Sequence, residues 1–436
     1  MFRSCHRIFL ALGLLSACSS QKDPATENGG GDSGVGATPP VGARASGGTG
    51  EAGAGSSGSN GTSAGGSSSS SSGGVAGSSG GMGDADASSG GGETSSESGG
   101  GVASTDGGST TLGPSDPGSA GDGDFTVGPT YAKSSDLMAK GAPAGKSFHF
   151  TMSSTKSKIF TGMDSTLLAA NRHSFTRGVD VYVPAKYKDG DLAPFMVIQD
   201  GPGQLGNIKL ALDNLTQSTD PTRSLPAFIA IAVQNGGGDS KGSERGLEYD
   251  TMSDRYAQFI QSEVLPAVLA DPTIKAAYPH LMLTPDPEGR STCGCSSGAA
   301  AALTMGWFRP EWFHRMVTYS GTFVAQQNDS APEQAMYPLG AWDYHSDLDL
   351  IGTTTPAKPL RIFINANQMD NGAGTGAANH HDWLLANQLM AAALKKQSYH
   401  YRFVEGLGAG HCDGRVQDLT LADTLVWLWR GYPLNY

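Results

Sequence analysis

Charge is scarce in this chain: only 16% of its 436 residues are Asp, Glu, Lys or Arg, with 29 basic against 41 acidic side chains and a net charge of −12. No basic cluster interrupts that balance, which speaks against nucleic acid or an anionic lipid face as a partner. Long apolar runs are also lacking. The one near the N-terminus, Ile8 to Leu15, is too short to cross about 30 Å of hydrocarbon as a mature helix. Cysteine is sparse, with five in all at 5, 18, 293, 295 and 412. Aromatic and branched apolar side chains are nearly missing from Ser19 to Asp124, where Gly, Ser, Ala and Thr dominate. Such a segment buries too little to offset a backbone entropy of about 1–2 kcal/mol per residue, so it is expected to stay unfolded.

What is present begins with Arg3, His6 and Arg7 ahead of the short apolar run, the pattern of an export signal over residues 1–17. Leu15-Ser16-Ala17-Cys18 resembles the lipobox of bacterial lipoproteins. That resemblance implies cleavage before Cys18, lipidation of its thiol, and a cell-envelope location on an N-terminal membrane anchor. An ordinary secretory signal with a chance cysteine is the competing reading. Residues 18–124 then form a Gly/Ser-rich tether, and a flexible coil of about 105 residues has an r.m.s. span of about 55–60 Å. The folded domain is expected over 125–436, with Cys293, Cys295 and Cys412 in an exported setting where a disulfide can persist.

In that domain, apolar runs alternate with helical patterns, as in an α/β fold with a mostly parallel central sheet flanked by helices. Strands are expected at 147–152, 178–184, 195–199, 227–233, 315–320, 361–365 and 399–404. "FMVIQ" and "AFIAIAV" are nearly continuous apolar runs, as strands buried on both faces require. Helical spacing marks 253–270, bent near Pro266, and also 383–396 and 421–431.

Gly294-Cys295-Ser296-Ser297-Gly298 is a G-x-S-x-G followed at once by the helix-forming "AAAALTMGW". A nucleophilic serine needs this layout. A sharp strand-to-helix turn exposes its Oγ, the flanking glycines avoid a clash, and the helix N-terminus offers N–H groups to an oxyanion. A plain glycine-rich turn is the bland alternative. The serine also needs a base oriented by an acid, in the chain order Ser, acid, His. His411 in "GLGAGHCDG" and Asp370 in "RIFINANQMDNG" each follow an expected strand, where open α/β sheets place their sites. Asp413 and Asp418 break the order. His314, His345 and His400 read as packing or surface residues. His380-His381-Asp382 lacks further ligands for a metal, and Asp382 reads as the cap of the helix starting at Trp383. No cofactor or metal is expected. Glu248 and Tyr249 in "RGLEYD" precede a helical pattern and are candidates for lining the substrate pocket.

"DPEGRSTCGCSSGAAAALTMGWFRPEWFHRMVTYSGTF", "YPLGAWDYH", "ANQLMAAALKKQSYHYRFVEGLGAGH", "DTLVWLWRGYP", "VDVYVPAKY" and "PFMVIQDG" together resemble the esterases related to enterochelin esterase and esterase D, over about residues 145–435. The resemblance implies an α/β-hydrolase fold and a serine carboxylesterase, with Ser296 as nucleophile, Asp370 as acid and His411 as base. It also places an oxyanion donor at the Asp200–Gly201 turn, with the Ser297 N–H as the other. Two departures are visible: "GAA" after the elbow serine where relatives continue with paired glycines, and no counterpart of the large N-terminal substrate domain of the siderophore esterases.

Cys295 precedes the candidate nucleophile and Cys412 follows the candidate base. Tannases and feruloyl esterases show a similar Cys-Ser, Asp, His-Cys arrangement in which a disulfide ties the two loops, and this resemblance implies a Cys295–Cys412 bridge with Cys293 left as a free thiol. An unpaired, packed Cys295, or Cys293 as the partner, stays open at this level. The expected substrate is a small-molecule or polysaccharide-linked ester. A thioesterase or peptidase with the same triad, or a tethered binding protein with an inactive hydrolase fold, are the rival functions.

Overall fold

The computed structural model describes residues 118–434, so the signal, Cys18 and most of the tether lie outside the described residues. Eleven strands are present among those described: β1 (Gly123–Val127), β2 (Lys146–Ser153), β3 (Thr176–Val183), β4 (Leu192–Ala193), β5 (Phe195–Gln199), β6 (Ile229–Val233), β7 (Met282–Leu283), β8 (Arg290–Cys295), β9 (Arg315–Tyr319), β10 (Arg361–Met369) and β11 (His400–Gly410). The helices are α1 (Leu205–Leu215), α2 (Glu244–Tyr249), α3 (Arg255–Phe259), α4 (Leu265–Ala270), α5 (Pro272–Ala277), α6 (Ser297–Phe308), α7 (Leu350–Thr353), α8 (Trp383–Lys396) and α9 (Gly414–Leu428).

Nine strands form one sheet in the order β1-β11-β10-β9-β8-β5-β6-β3-β2, while β4 and β7 make a separate two-residue ladder. All neighbours from β1 to β6 run parallel, and at the other edge the β6–β3 and β3–β2 pairs are antiparallel. This is the α/β-hydrolase arrangement expected. Alternation along β5 shows how the sheet is sandwiched: Phe195 and Val197 pack with Phe259, Ile260 and Val264, whereas Met196 and Ile198 face Leu205, Ile208 and Leu212 of α1. Both faces are apolar because helices cover both.

The segment from α3 to α4 is continuous but contains a π-helical turn over Ile260–Val264, just before Pro266. Proline donates no N–H, and the widened turn precedes it. Helix α8 starts at Trp383 with Asp382 as its cap, whose carboxylate accepts the Leu385 N–H. Helix α9 begins seven residues before the expected 421, with Asp413 as its cap; its first turn holds a single apolar side chain, the buried Val416, too little to mark a helical spacing.

Two strands of the nine-stranded sheet escape the apolar pattern, as do the two-residue β4 and β7. β8, "RSTCGC", is central yet polar, and it buries its side chains by bonding them: Thr292 Oγ1 donates to Ala302 O at 2.8 Å and Ser291 Oγ to Phe195 O at 3.3 Å. β1 pairs in parallel with β11 over Gly123–Val127, so the expected domain start at 125 falls inside a strand. Its neighbour Asp122 accepts bonds from Trp427 Nε1 at 2.9 Å and His400 Nδ1 at 2.8 Å, which anchor the segment ahead of the expected boundary.

Candidate active site

Five adjacent parallel strands, β11-β10-β9-β8-β5, end on one edge of the sheet. The first residue beyond each is His411, Asp370, Ser320, Ser296 and Asp200 respectively. Ser296 (φ 59°), Ser320 (φ 45°) and Asp200 (φ 56°) hold left-handed backbone, which costs a non-glycine residue about 1–2 kcal/mol. Strain of this kind persists where the surroundings over-determine it.

Ser296 is the hinge between β8 and α6. A Cβ at Gly294 would lie 2.2 Å from Gly298 O, and one at Gly298 would meet Asp200 Oδ2 at 2.9 Å, so both glycines of the motif are there for close approach. Ala299 and Ala300 donate to Ser296 O, leaving the Ser297 and Gly298 N–H groups without an intrahelical acceptor at the positive end of α6. Thr322 N–H also donates to Ser296 O, at 3.1 Å. The Ser296 hydroxyl lies 3.4 Å from Thr322 Oγ1, which accepts the indole N–H of Trp383 at 3.2 Å. The same indole packs edge-on against the His411 ring, centroids 6.2 Å apart. Ser296 and His411 therefore share one wall, although no direct hydrogen bond joins them among the described contacts.

His411 Nδ1 lies 2.5 Å from Asp370 Oδ1. Asp370 is buried and accepts further bonds from Ser320 Oγ at 2.7 Å, Asn371 N at 2.9 Å and Asn367 N at 3.2 Å. Burial pushes its pKa up, but the bonds from His411 and Ser320 outweigh that and hold it below the usual carboxylate value. An ionised Asp370 accepting the Nδ1 proton leaves His411 Nε2 as the basic nitrogen.

Cys295 and Cys412 form a disulfide with Cα atoms 6.1 Å apart, fastening the residue before Ser296 to the residue after His411. Cys293 is the free, buried thiol, its pKa pushed up to about 12 by burial. The competing histidines are occupied elsewhere: His314 with Glu288, His345 with Phe323 O, and His400 with Asp122. Asp413 caps α9 and pairs with Arg415.

Two expectations need correction. The Asp200–Gly201 turn borders α6, but its N–H groups are taken: Asp200 donates to Tyr249 Oη and Gly201 to Val233 O, each at 3.0 Å, and Pro202 has none. The turn thus supplies no second oxyanion donor in this conformation. The Asp200 carboxylate is instead gripped by Arg245 Nε at 2.9 Å, Arg245 Nη2 at 2.8 Å and Asn235 Nδ2 at 2.6 Å. Glu248 is closed off from solvent. It lies in α2 with its side chain fully buried in a two-pronged ion pair with Arg177, at 2.5 and 3.0 Å.

Beside that pair, Glu244 is buried with neither carboxylate oxygen bonded. Burial, with help from the Glu248 charge, pushes its pKa up to about 7 against the pull of Arg177 and Arg255. A raised carboxyl pKa means the folded state binds more protons than the unfolded one between about pH 4.5 and 7, so stability falls as pH rises through that window. Glu244→Gln should therefore gain about 2 kcal/mol over wild type on going from pH 5 to pH 8. Urea melts at both values check this, and a pH-independent difference would show that the carboxylate is not charged and buried.

Ser320, Thr322 and Trp383 were not singled out from sequence. A serine at the end of an expected strand, in "YSGTF", is the only local hint of the first.

The model of the Esterase family, described as "Putative esterase", matches residues 171–412. Similar solved structures include a ferulic acid esterase, 15% identical, with 66% of this chain covered, 99% of that one and a TM-score of 0.45. An enterobactin esterase from Shigella flexneri is 19% identical, with 67% of this chain and 61% of that one covered and a TM-score of 0.41. A ferulic acid esterase from the anaerobic fungus Anaeromyces mucronatus is 12% identical, with 67% and 94% covered and a TM-score of 0.44. No curated protein sequence matches the chain.

Proposed function

Because the chain belongs to the Esterase family and is an ester hydrolase, we propose that it works through an acyl-enzyme on Ser296, with His411 as base and Asp370 as the acid that orients it. The observation that carries this reading is the 2.5 Å His411–Asp370 pair on the same sheet edge as a strained serine at a strand–helix junction. His411 Nε2 takes the Ser296 proton as Oγ attacks the ester carbonyl. The Ser297 N–H, at the positive end of α6, receives the developing oxyanion. His411 then gives its proton to the leaving alcohol, and water repeats the sequence to release the acid. In the resting chain the Ser296 hydroxyl bonds Thr322, so it must turn toward His411 when substrate enters, a tightening common to unliganded sites.

Family membership favours carboxylic esters over amides and thioesters, and a small-molecule or polysaccharide-linked ester is the proposed substrate. An organophosphate should add one equivalent of label, located on the peptide carrying Ser296 by mass spectrometry. Label on another residue, or none on protein that hydrolyses esters, defeats the reading. The proposed cell-envelope location rests on Leu15–Cys18: the mature protein from a bacterial host should begin at a lipidated Cys18, and an unmodified Cys18 in its intact mass would remove the anchor.

A further inference from the structure

Ser320 occupies on β9 the place that Ser296 occupies on β8 and Asp370 on β10, and β9 lies between those two strands. It is fully buried, its backbone is left-handed at φ 45°, and its N–H donates to Asn365 O at 2.7 Å. The chemistry of its partners fixes the direction of each hydroxyl bond. Asp370 Oδ2, at 2.7 Å, can only accept, so the Ser320 proton goes there. The Cys412 N–H, at 3.0 Å, and Asn367 Nδ2, at 3.4 Å, can only donate, so the lone pairs face them.

One hydroxyl thus ties the carboxylate of the acid to the backbone just after the base. Oδ2 takes the Ser320 hydroxyl and the Asn367 N–H, Oδ1 takes His411 Nδ1 and the Asn371 N–H, and the Cys412 N–H ties the His411–Cys412 turn to the end of β9. A glycine would sit at φ 45° without strain, yet a serine is there, and its hydroxyl is the only part a glycine would lack that makes these bonds.

We propose that Ser320 is a positioning residue of the reaction, its hydroxyl setting the geometry of Asp370 and His411 relative to each other. The proposal rests on the Ser296–His411–Asp370 reading. Ser320 touches no substrate, so its loss should lower turnover and leave KM nearly unchanged. Asp370 is bonded by His411, Ser320 and the N–H groups of Asn367 and Asn371. Removing the Ser320 donor leaves more charge on the carboxylate, which favours proton uptake by the coupled pair, so the acidic limb of the kcat/KM profile should move to higher pH.

The test uses Ser320→Ala, which deletes the hydroxyl, and Ser320→Gly, which deletes it and also relieves the backbone, beside wild type and Ser296→Ala. Expected are a fall in kcat of about 10- to 50-fold, KM within twofold, and an acidic limb raised by about half a pH unit in both variants, with the glycine variant melting no lower than the alanine one. Rates within twofold of wild type, or a rate loss with the limb in place, overturn the proposal. If Ser296→Ala is inert and the Ser320 variants behave as wild type, only the role of Ser320 falls. If Ser296→Ala keeps full activity, the triad reading falls and this role with it.

Discussion

Ser296→Ala is expected to lower kcat/KM toward p-nitrophenyl acetate by about 10⁴- to 10⁶-fold while leaving the melting temperature nearly unchanged. The size follows from non-additivity: without the nucleophile, His411 and Asp370 have no proton to move, and only binding and the Ser297 N–H remain, typically about 10³–10⁴ over water. Stability should hold because alanine fills the same left-handed position at φ 59° with the same backbone strain. It loses only a 3.4 Å contact to Thr322. Enzyme freed of wild-type contamination and retaining more than about 1% of the activity would mean that another group attacks the ester.

The disulfide should dominate stability. Cys295 and Cys412 enclose a separation of 117 residues, for which the chain-entropy treatment gives about 5 kcal/mol, with native strain and residual denatured-state structure reducing what is measured. The double variant Cys295→Ser/Cys412→Ser should therefore lose about 3–5 kcal/mol in urea unfolding. Its kcat should also fall, because the turn carrying His411 then loses its covalent tie to the residue before Ser296. Reductant should reproduce both effects in wild type and change nothing in the double variant. Cys293 will not confuse the result, since it is buried and its thiol titrates only at about 12. A wild-type melt indifferent to reductant would contradict the stabilising role.

How much of this was legible in the sequence depends on where each bond partner lies. β5 and β6 announce themselves because strands covered on both faces must be apolar throughout, and the elbow announces itself because its glycines and serine are neighbours in the chain. β8 was silent. Its polar side chains are satisfied by Phe195 and Ala302, and no window of "RSTCGC" contains that information. Glu248 was misplaced for the same reason: a carboxylate looks like surface until Arg177, 71 residues earlier, is brought beneath it. The resemblance pointed to the Asp200–Gly201 turn, but the fate of its N–H groups is decided by Tyr249 and Val233. Ser320 needed Asp370 and Cys412 together, 50 and 92 residues away.

The entry of the chain has a mechanical side. β1 lies parallel to β11 over five residue pairs, reinforced by Asp122 to Trp427 and His400 and by Asp124 to Tyr401 and Lys395. A pull arriving from the N-terminal side of the domain meets this seam first. A pull directed along β1 would load its ladder bonds with β11 together in shear, not one at a time. The strand that would absorb that pull, β11, ends one residue before His411, so the seam also braces the loop that carries this histidine.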